Sequence, residues 1–278
     1  MKNCNNSYWK PAFSFFLLSC LVLSVSACSQ SEEGHEFNYD EASGRGPSRW
    51  GLLKPEWRNC SDGRMQSPID IGTVQPRPQL GDLQRNYTSA PAVLENRVVD
   101  VAVVWRGNAG NITINGTVYY VVNCHWHSPS EHTFNRTRFA LELHLVHQSA
   151  QNLTAVVAIL YQLGPPDPFI ARLLPFIIAL ENVERVPLGP IDPESIGLPG
   201  RKYYRYNGSL TTPPCSEGVL WTVFPQIKTV SRSQVEALRN VLPPENRNNS
   251  RPTQPLNNRT VLLYDPARMG TFTLKTDD

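Results

Sequence analysis

A chain of 278 residues with 26 basic and 24 acidic side chains is close to neutral, which excludes the broad positive field of a protein built to hold nucleic acid or an anionic membrane. No internal repeat or low-complexity linker divides it, so one domain of ordinary size is expected.

Residues 1–27 carry the three parts of a secretory signal. Lys2 and Lys10 come without acidic neighbours, an apolar run spans Phe13 to Val25, and Val25, Ser26 and Ala27 form a small-residue cleavage site. The run is too short and too rich in serine for a membrane span. Cleavage would leave residues 28–278, with basic and acidic residues balanced and no span in the mature chain. The string Val25 to Cys28 also reads as a bacterial lipoprotein box with Cys28 lipidated. Against it stand Asn-x-Ser/Thr acceptors at Asn59, Asn86, Asn111, Asn115, Asn135, Asn152, Asn207, Asn248 and Asn258, which fit glycosylated loops on a eukaryotic secretory route. The destination read from this is outside the cell, or a plastid reached through that route.

From Phe37 to Asn59 the chain is rich in glycine, proline and tryptophan, which predicts a non-regular segment packed through Trp50 and Trp57. Short β-branched runs follow at 98–105, 111–114, 117–122, 155–162, 219–224 and 260–263, with Asn115-Gly116 and Asn207-Gly208 as turn signals. Helices are expected at 168–181, interrupted by Pro175, and at 232–242, where Ser231 caps and Gln234 completes a capping box. The pattern is that of a mostly-β single domain with a few short peripheral helices.

The stretch from Asn123 to His147 holds five of the six histidines. Residues two apart on a strand point the same way, so His125 and His127 project together, with Cys124 and Trp126 on the other face. A second strand from Arg138 puts Glu142, His144 and Val146 on one face, and antiparallel pairing brings His144 beside the first two. Three imidazoles and an open fourth position are the donor set of a catalytic zinc, whereas structural zinc is usually closed by cysteine and no CxxC pair occurs here. His132 and His147 read as core histidines, and Cys124 as a small buried hydrophobe.

The strings HWHSPSEH and ELHLVH resemble the zinc-ligand segments of the alpha-class carbonic anhydrases, specifically their plant-type members. QSPIDI at 66–71, GSLTTPP at 208–214 and RPTQPLNNR at 251–259 resemble that family's N-terminal signature, active-site loop and C-terminal strand. The resemblance spans 37–264 and implies a central, twisted, largely antiparallel ten-stranded sheet around one zinc.

It further implies that His125, His127 and His144 bind the metal, with Glu142 orienting His144 and the residue at position 123 orienting His125. That position is usually glutamine, and the shorter Asn123 is expected to reach only through a shift or a water. Thr211 would accept from a zinc-bound hydroxide and donate to an ionised Glu131, and Thr212 would contact bicarbonate. Val146, Val156, Leu210, Val219 and Trp221 would form the apolar wall for carbon dioxide. Cys60 would pair with Cys215, closing a loop of more than a hundred residues that a chain-entropy model values at about 4–5 kcal/mol. The family's proton-shuttle histidine lies in an Asn-Arg-Gly-His-Asp string, but here residues 96–100 read Asn-Arg-Val-Val-Asp, so Val99 stands at the shuttle position. His35 is the one histidine outside the zinc stretch.

Two readings follow. The first is a secreted zinc enzyme interconverting carbon dioxide and water with bicarbonate and a proton, slowed at proton release. The second is a non-catalytic or weakly active storage or interaction protein of the dioscorin type.

Overall fold

A computed structural model describes residues 36–271; the expected signal segment, Cys28 and His35 lie outside them. Ten strands form one continuous path, in the order 185–191, 90–96, 101–105, 117–127, 141–148, 154–163, 217–223, 203–209, 262–264 and 75–76. Three more join off this path, Lys228–Val230 on 154–163 and the ribbon of Gln84–Tyr87 with Gly110–Ile114 on 117–127. Most pairs are antiparallel. The exceptions in this sheet are 154–163 with 217–223 and with 228–230, and 262–264 with 75–76.

The site depends on which face of the sheet each side chain takes. Leu141–Gln148 alternates leucine with other residues, so Leu141, Leu143 and Leu145 enter one core while Glu142, His144 and Val146 face the other way. The leucine face is covered by two helices, Pro168–Ala179 through Phe169, Ile170, Leu173 and Ile177, and Arg232–Asn240 through Val235 and Leu238. Thr154–Leu163 supplies both cores, Val157 and Ile159 to one, Val156 and Ala158 to the other, as a strand buried on both faces must.

Several boundaries differ from the sequence reading. Pro175 does not interrupt its helix, because it sits on the exposed side and its missing N–H costs no buried bond. The capping box at Ser231 and Gln234 is formed. The strand expected from Val98 begins at Val101, since Val98 occupies a left-handed φ of 70°. The N-terminal segment contains short helical turns at Glu41–Ser43, Trp50–Leu53, Pro55–Trp57 and Asn59–Asp62 around a cluster of Phe37, Tyr39, Trp50 and Trp57. Residues 251–259 form no strand; the C-terminal strand is Leu262–Tyr264.

Asn115-Gly116 is a hairpin turn with φ of 51° and 76°. Asn207-Gly208, by contrast, lies inside Tyr203–Ser209. A Cβ on Gly208 would come within 2.1 Å of Ser67 Oγ, so close packing explains that glycine. No described helix is long and apolar enough to cross a membrane.

Candidate active site

The strand Thr117–His127 pairs antiparallel with Leu141–Gln148, setting His144 directly opposite His125 and Glu142 opposite His127. Ring centroids of the three histidines lie 4.6–5.3 Å apart. A register shift between Val146 and His147 leaves Val122 as an extra residue opposite them, a bulge that flips the alternation beyond it. Tyr119 and Val121 therefore join the leucine-side core although they share parity with His125.

Each of the three rings has one nitrogen engaged and one left open. His125 Nδ1 faces Asn123 Oδ1 at 2.9 Å, His127 Nδ1 faces the Asn249 carbonyl at 2.6 Å, and His144 Nε2 faces Glu142 Oε1 at 2.7 Å. All three partners are acceptors, so the engaged nitrogens donate and the opposite lone pairs are free. That leaves His125 Nε2, His127 Nε2 and His144 Nδ1 open, and the three residues form a cluster that offers one ligand atom each within 4.8 Å of one another. His127 Nε2 is sealed from solvent with no partner, a cost a metal would remove. The donor set fits zinc. A second grouping, His132 with Glu142 and His144, has its atoms committed: His132 bonds Glu142 Oε1 at 2.6 Å and the Tyr206 hydroxyl at 2.7 Å.

The electrostatics favour the same chemistry. Loss of surrounding water, then the charges of Arg97, His127 and His144, pushes the His125 pKa well below the usual imidazole range. Burial likewise lowers that of His144, against the pull of Glu142. Both stay neutral, the form that ligates. Burial alone would raise the Glu142 pKa, but His132 and His144 outweigh it and hold the carboxyl well below its ordinary value.

Asn123 reaches His125 directly, without the shift or water expected of a side chain one methylene short. His132 is more than a packed core histidine, since it ties Glu142 to Tyr206, which in turn meets Ser67 Oγ at 2.9 Å. His147 points to the leucine-side core and meets the Tyr87 hydroxyl at 3.0 Å. Cys124 is a free, fully buried thiol on that side too.

Glu131 is fully buried; Oε1 accepts from the Arg251 amide at 2.8 Å, while Oε2 has no hydrogen-bond partner and lies 3.6 Å from His127 Nε2. The expected bond from Thr211 to that oxygen is thus not made here. Thr211 is buried and Thr212 half-buried in a loop fastened on both sides. Leu210 N donates to Ser216 O at 2.9 Å, Cys215 N to Thr212 O at 2.8 Å, and the Cys60–Cys215 disulfide joins the loop to the N-terminal segment. Val146, Val156, Leu210, Val219 and Trp221 all belong to one apolar cluster, whose Trp221 ring lies 4.8 Å from that of His144.

Val99 lies buried against the N-terminal aromatic cluster, and its carbonyl accepts from Asn249 Nδ2 at 2.9 Å. Asn249 therefore links Val99 to His127. Sequence reasoning missed this residue because its role toward the ring is played by a backbone carbonyl, which any amino acid carries. Arg251, whose guanidinium donates to Gln66, Ser67 and Cys60, was legible only as part of a motif.

A family model described as eukaryotic-type carbonic anhydrase matches residues 45–265. Alpha carbonic anhydrase 4 of Arabidopsis thaliana is 46% identical over 260 residues, covering 91% of this chain and 96% of its own. Dioscorin dioA3 of Dioscorea japonica is 43% identical over 253 residues, covering 90% and 93%. Among solved structures, dioscorin complexed with ascorbate superposes with a TM-score of 0.81 at 42% identity, covering 83% of this chain and 98% of that one. On these matches, and on the sheet and histidine geometry they accompany, the chain belongs to the eukaryotic-type alpha carbonic anhydrase family.

Proposed function

We propose that this protein is a zinc-dependent carbonate dehydratase that interconverts carbon dioxide and water with bicarbonate and a proton. One observation carries the reading: three imidazoles, each fixed through its far nitrogen, converge beside an apolar cluster. His125, His127 and His144 would hold a zinc ion, and three-histidine coordination of that kind would lower the pKa of water to about 7, the value established for carbonic anhydrase, so that a nucleophile would be available near neutral pH.

The chain's own residues do the rest. Asn123, Asn249 and Glu142 fix the ring orientations, and outer partners of this kind are worth about 10–100-fold in metal affinity or activity. Thr211 would offer its hydroxyl to aim the attacking oxygen, and Glu131, whose buried Oε2 has no hydrogen-bond partner, would accept the threonine's own proton after a small adjustment of the hydroxyl. Thr212, one residue on, would contact bicarbonate. Val146, Val156, Leu210, Val219 and Trp221 offer a nonpolar substrate no hydrogen bond to compete with. Val99 has no proton to exchange, so proton release is the slow step.

The disulfide, and the secretory character expected of residues 1–27, favour an oxidising route to the cell exterior or to a plastid, with glycans on some of the exposed acceptors. A second reading has its own support: dioscorins are among the relatives, and a buried valine stands at the shuttle position. Metal analysis and stopped-flow carbon dioxide hydration on the purified mature chain separate the two. About one zinc per chain with hydration activity is expected. Zinc without hydration would transfer the protein to the storage or interaction class, and a metal-free chain would overturn the ligand assignment.

A further inference from the structure

A charged side chain removed from water needs a counter-charge or acceptors, so a buried guanidinium with neither is an unmet cost in the folded chain. Arg205 is such a group. It is only 5% exposed, and among the described residues its side chain makes no hydrogen bond or ion pair; Nε is sealed from solvent without a partner. Its neighbour is a ring, with Cζ 5.0 Å from the centroid of Tyr203. Directly across the ladder stands Thr222, fully buried, whose Oγ1 also lacks a partner. Paired residues share a face of a sheet, and Tyr203 places this one on the leucine side, away from the histidines.

Arg205 lines a cleft of about 230 Å³ with Gln79, Gln84, Thr113, Asn115 and Asp82. Asp82 is already matched, accepting from Arg201 Nε at 2.7 Å and from the Tyr264 hydroxyl at 3.1 Å. One positive charge is left over. We propose that this cleft binds a small monoanion of the carboxylate class, held by Arg205 on the face of the sheet opposite the metal centre. A guanidinium edge presents parallel N–H groups to two coplanar oxygens, which a carboxylate or bicarbonate supplies. The amides and hydroxyl of Gln79, Gln84 and Thr113 add neutral donors at the rim. A single uncompensated charge suits a monoanion, whereas a phosphate dianion would leave negative charge in excess beside Asp82. The site stands independently of the catalytic reading.

The test is thermal unfolding of the zinc-loaded chain in formate, acetate, bicarbonate or phosphate, each against chloride at equal ionic strength. A saturable rise of roughly 3–6 °C is expected at tenfold excess over Kd for the carboxylate-class ions. Arg205→Met should abolish it, and Arg205→Lys, which keeps the charge but loses the fork, should weaken it at least about tenfold. Because oxyanions can also reach a metal, the titration is repeated on His144→Ala, where the rise should persist. A response to bicarbonate alone would identify the reaction's own ion, and an equal response to formate and acetate an organic acid; either supports the site. The proposal falls if the rise survives Arg205→Met, vanishes in His144→Ala with Arg205 intact, is largest for phosphate, or is absent.

Discussion

Leu143 and His144 are neighbours on one strand, and both are closed to water, yet they belong to regions built by opposite rules. Around Leu143, shape is satisfied by apolar contact, and one aliphatic side chain can stand in for another at modest cost. On the histidine side nearly every polar group has a named partner: Glu142 serves His144, His132 and two backbone amides at once. Where a polar network is so fully matched, the atoms left open are informative. Here they are His127 Nε2 and the facing Glu131 Oε2, and the comparison teaches that the packing around Leu143 was shaped for stability and the surroundings of His144 for chemistry.

The strongest way to break this contrast is His144→Ala. Metal and hydration activity should disappear together, by more than about 100-fold, since loss of even an outer partner costs about 10–100-fold. Near-stoichiometric zinc retained in the variant would remove His144 from the ligand set. Leu143→Ala, one residue away, should do the reverse. It opens a cavity worth about 2–5 kcal/mol of stability, measured by urea unfolding, while zinc content and activity per folded molecule stay unchanged. If the two substitutions gave the same pattern of losses, the faces would not be functionally distinct.

How much of this division is legible in sequence follows from the same alternation. Period-two spacing is enough to send His125 and His127 one way and Cys124 and Trp126 the other, because a strand permits little else. It fails at Val122, where the bulge adds a residue that no local preference announces. Tyr203–Ser209 was missed because Asn-Gly reads as a turn, although here the glycine is demanded by contact with Ser67. Arg185–Ile191 was missed because Pro187 and Pro190 argue against a strand, whereas at the end of the sheet path prolines are tolerated. The convergence of the three histidines could be read from the chain itself; the loop, the apolar cluster and the disulfide partners came only through family resemblance, since they meet from distant segments.

A pH experiment sharpens the stability side. Burial pushes the His147 pKa down to about 3, so the folded state keeps it neutral while the unfolded chain takes up the proton near 6.5. Its contribution is whole above about pH 6.5 and is lost as pH falls toward 3, by at most roughly 4–5 kcal/mol. Urea unfolding of His147→Gln from pH 7.5 to 4 should show a flatter acid dependence than the natural chain, and parallel curves would rule this out. On the opposite face, Val146→Phe should leave zinc and stability nearly intact while lowering kcat/KM about tenfold or more by filling the carbon dioxide wall. Activity unchanged in that variant would place the substrate elsewhere.

The smallest expected effect lies where the two regions meet the N-terminal aromatic cluster. Val98 holds a φ of 70°, which a β-branched residue adopts only under strain, and the neighbouring Val99 is packed against aromatic rings rather than offering a proton acceptor. Val98→Gly relieves the backbone, and Val99→His beside it restores a group that titrates near neutrality. Val99 is already tied to His127 through Asn249, which accepts at its carbonyl from His127 and donates through its side-chain amide to the Val99 carbonyl. The double variant should therefore raise turnover about three- to tenfold in dilute buffer, and hardly at all in concentrated imidazole, which can carry the proton by itself. The natural chain should show the complementary behaviour, with kcat climbing as buffer is added. Rapid turnover of the natural chain in dilute buffer, with no response to imidazole, would mean that another group already carries the proton and that the valine at position 99 limits nothing.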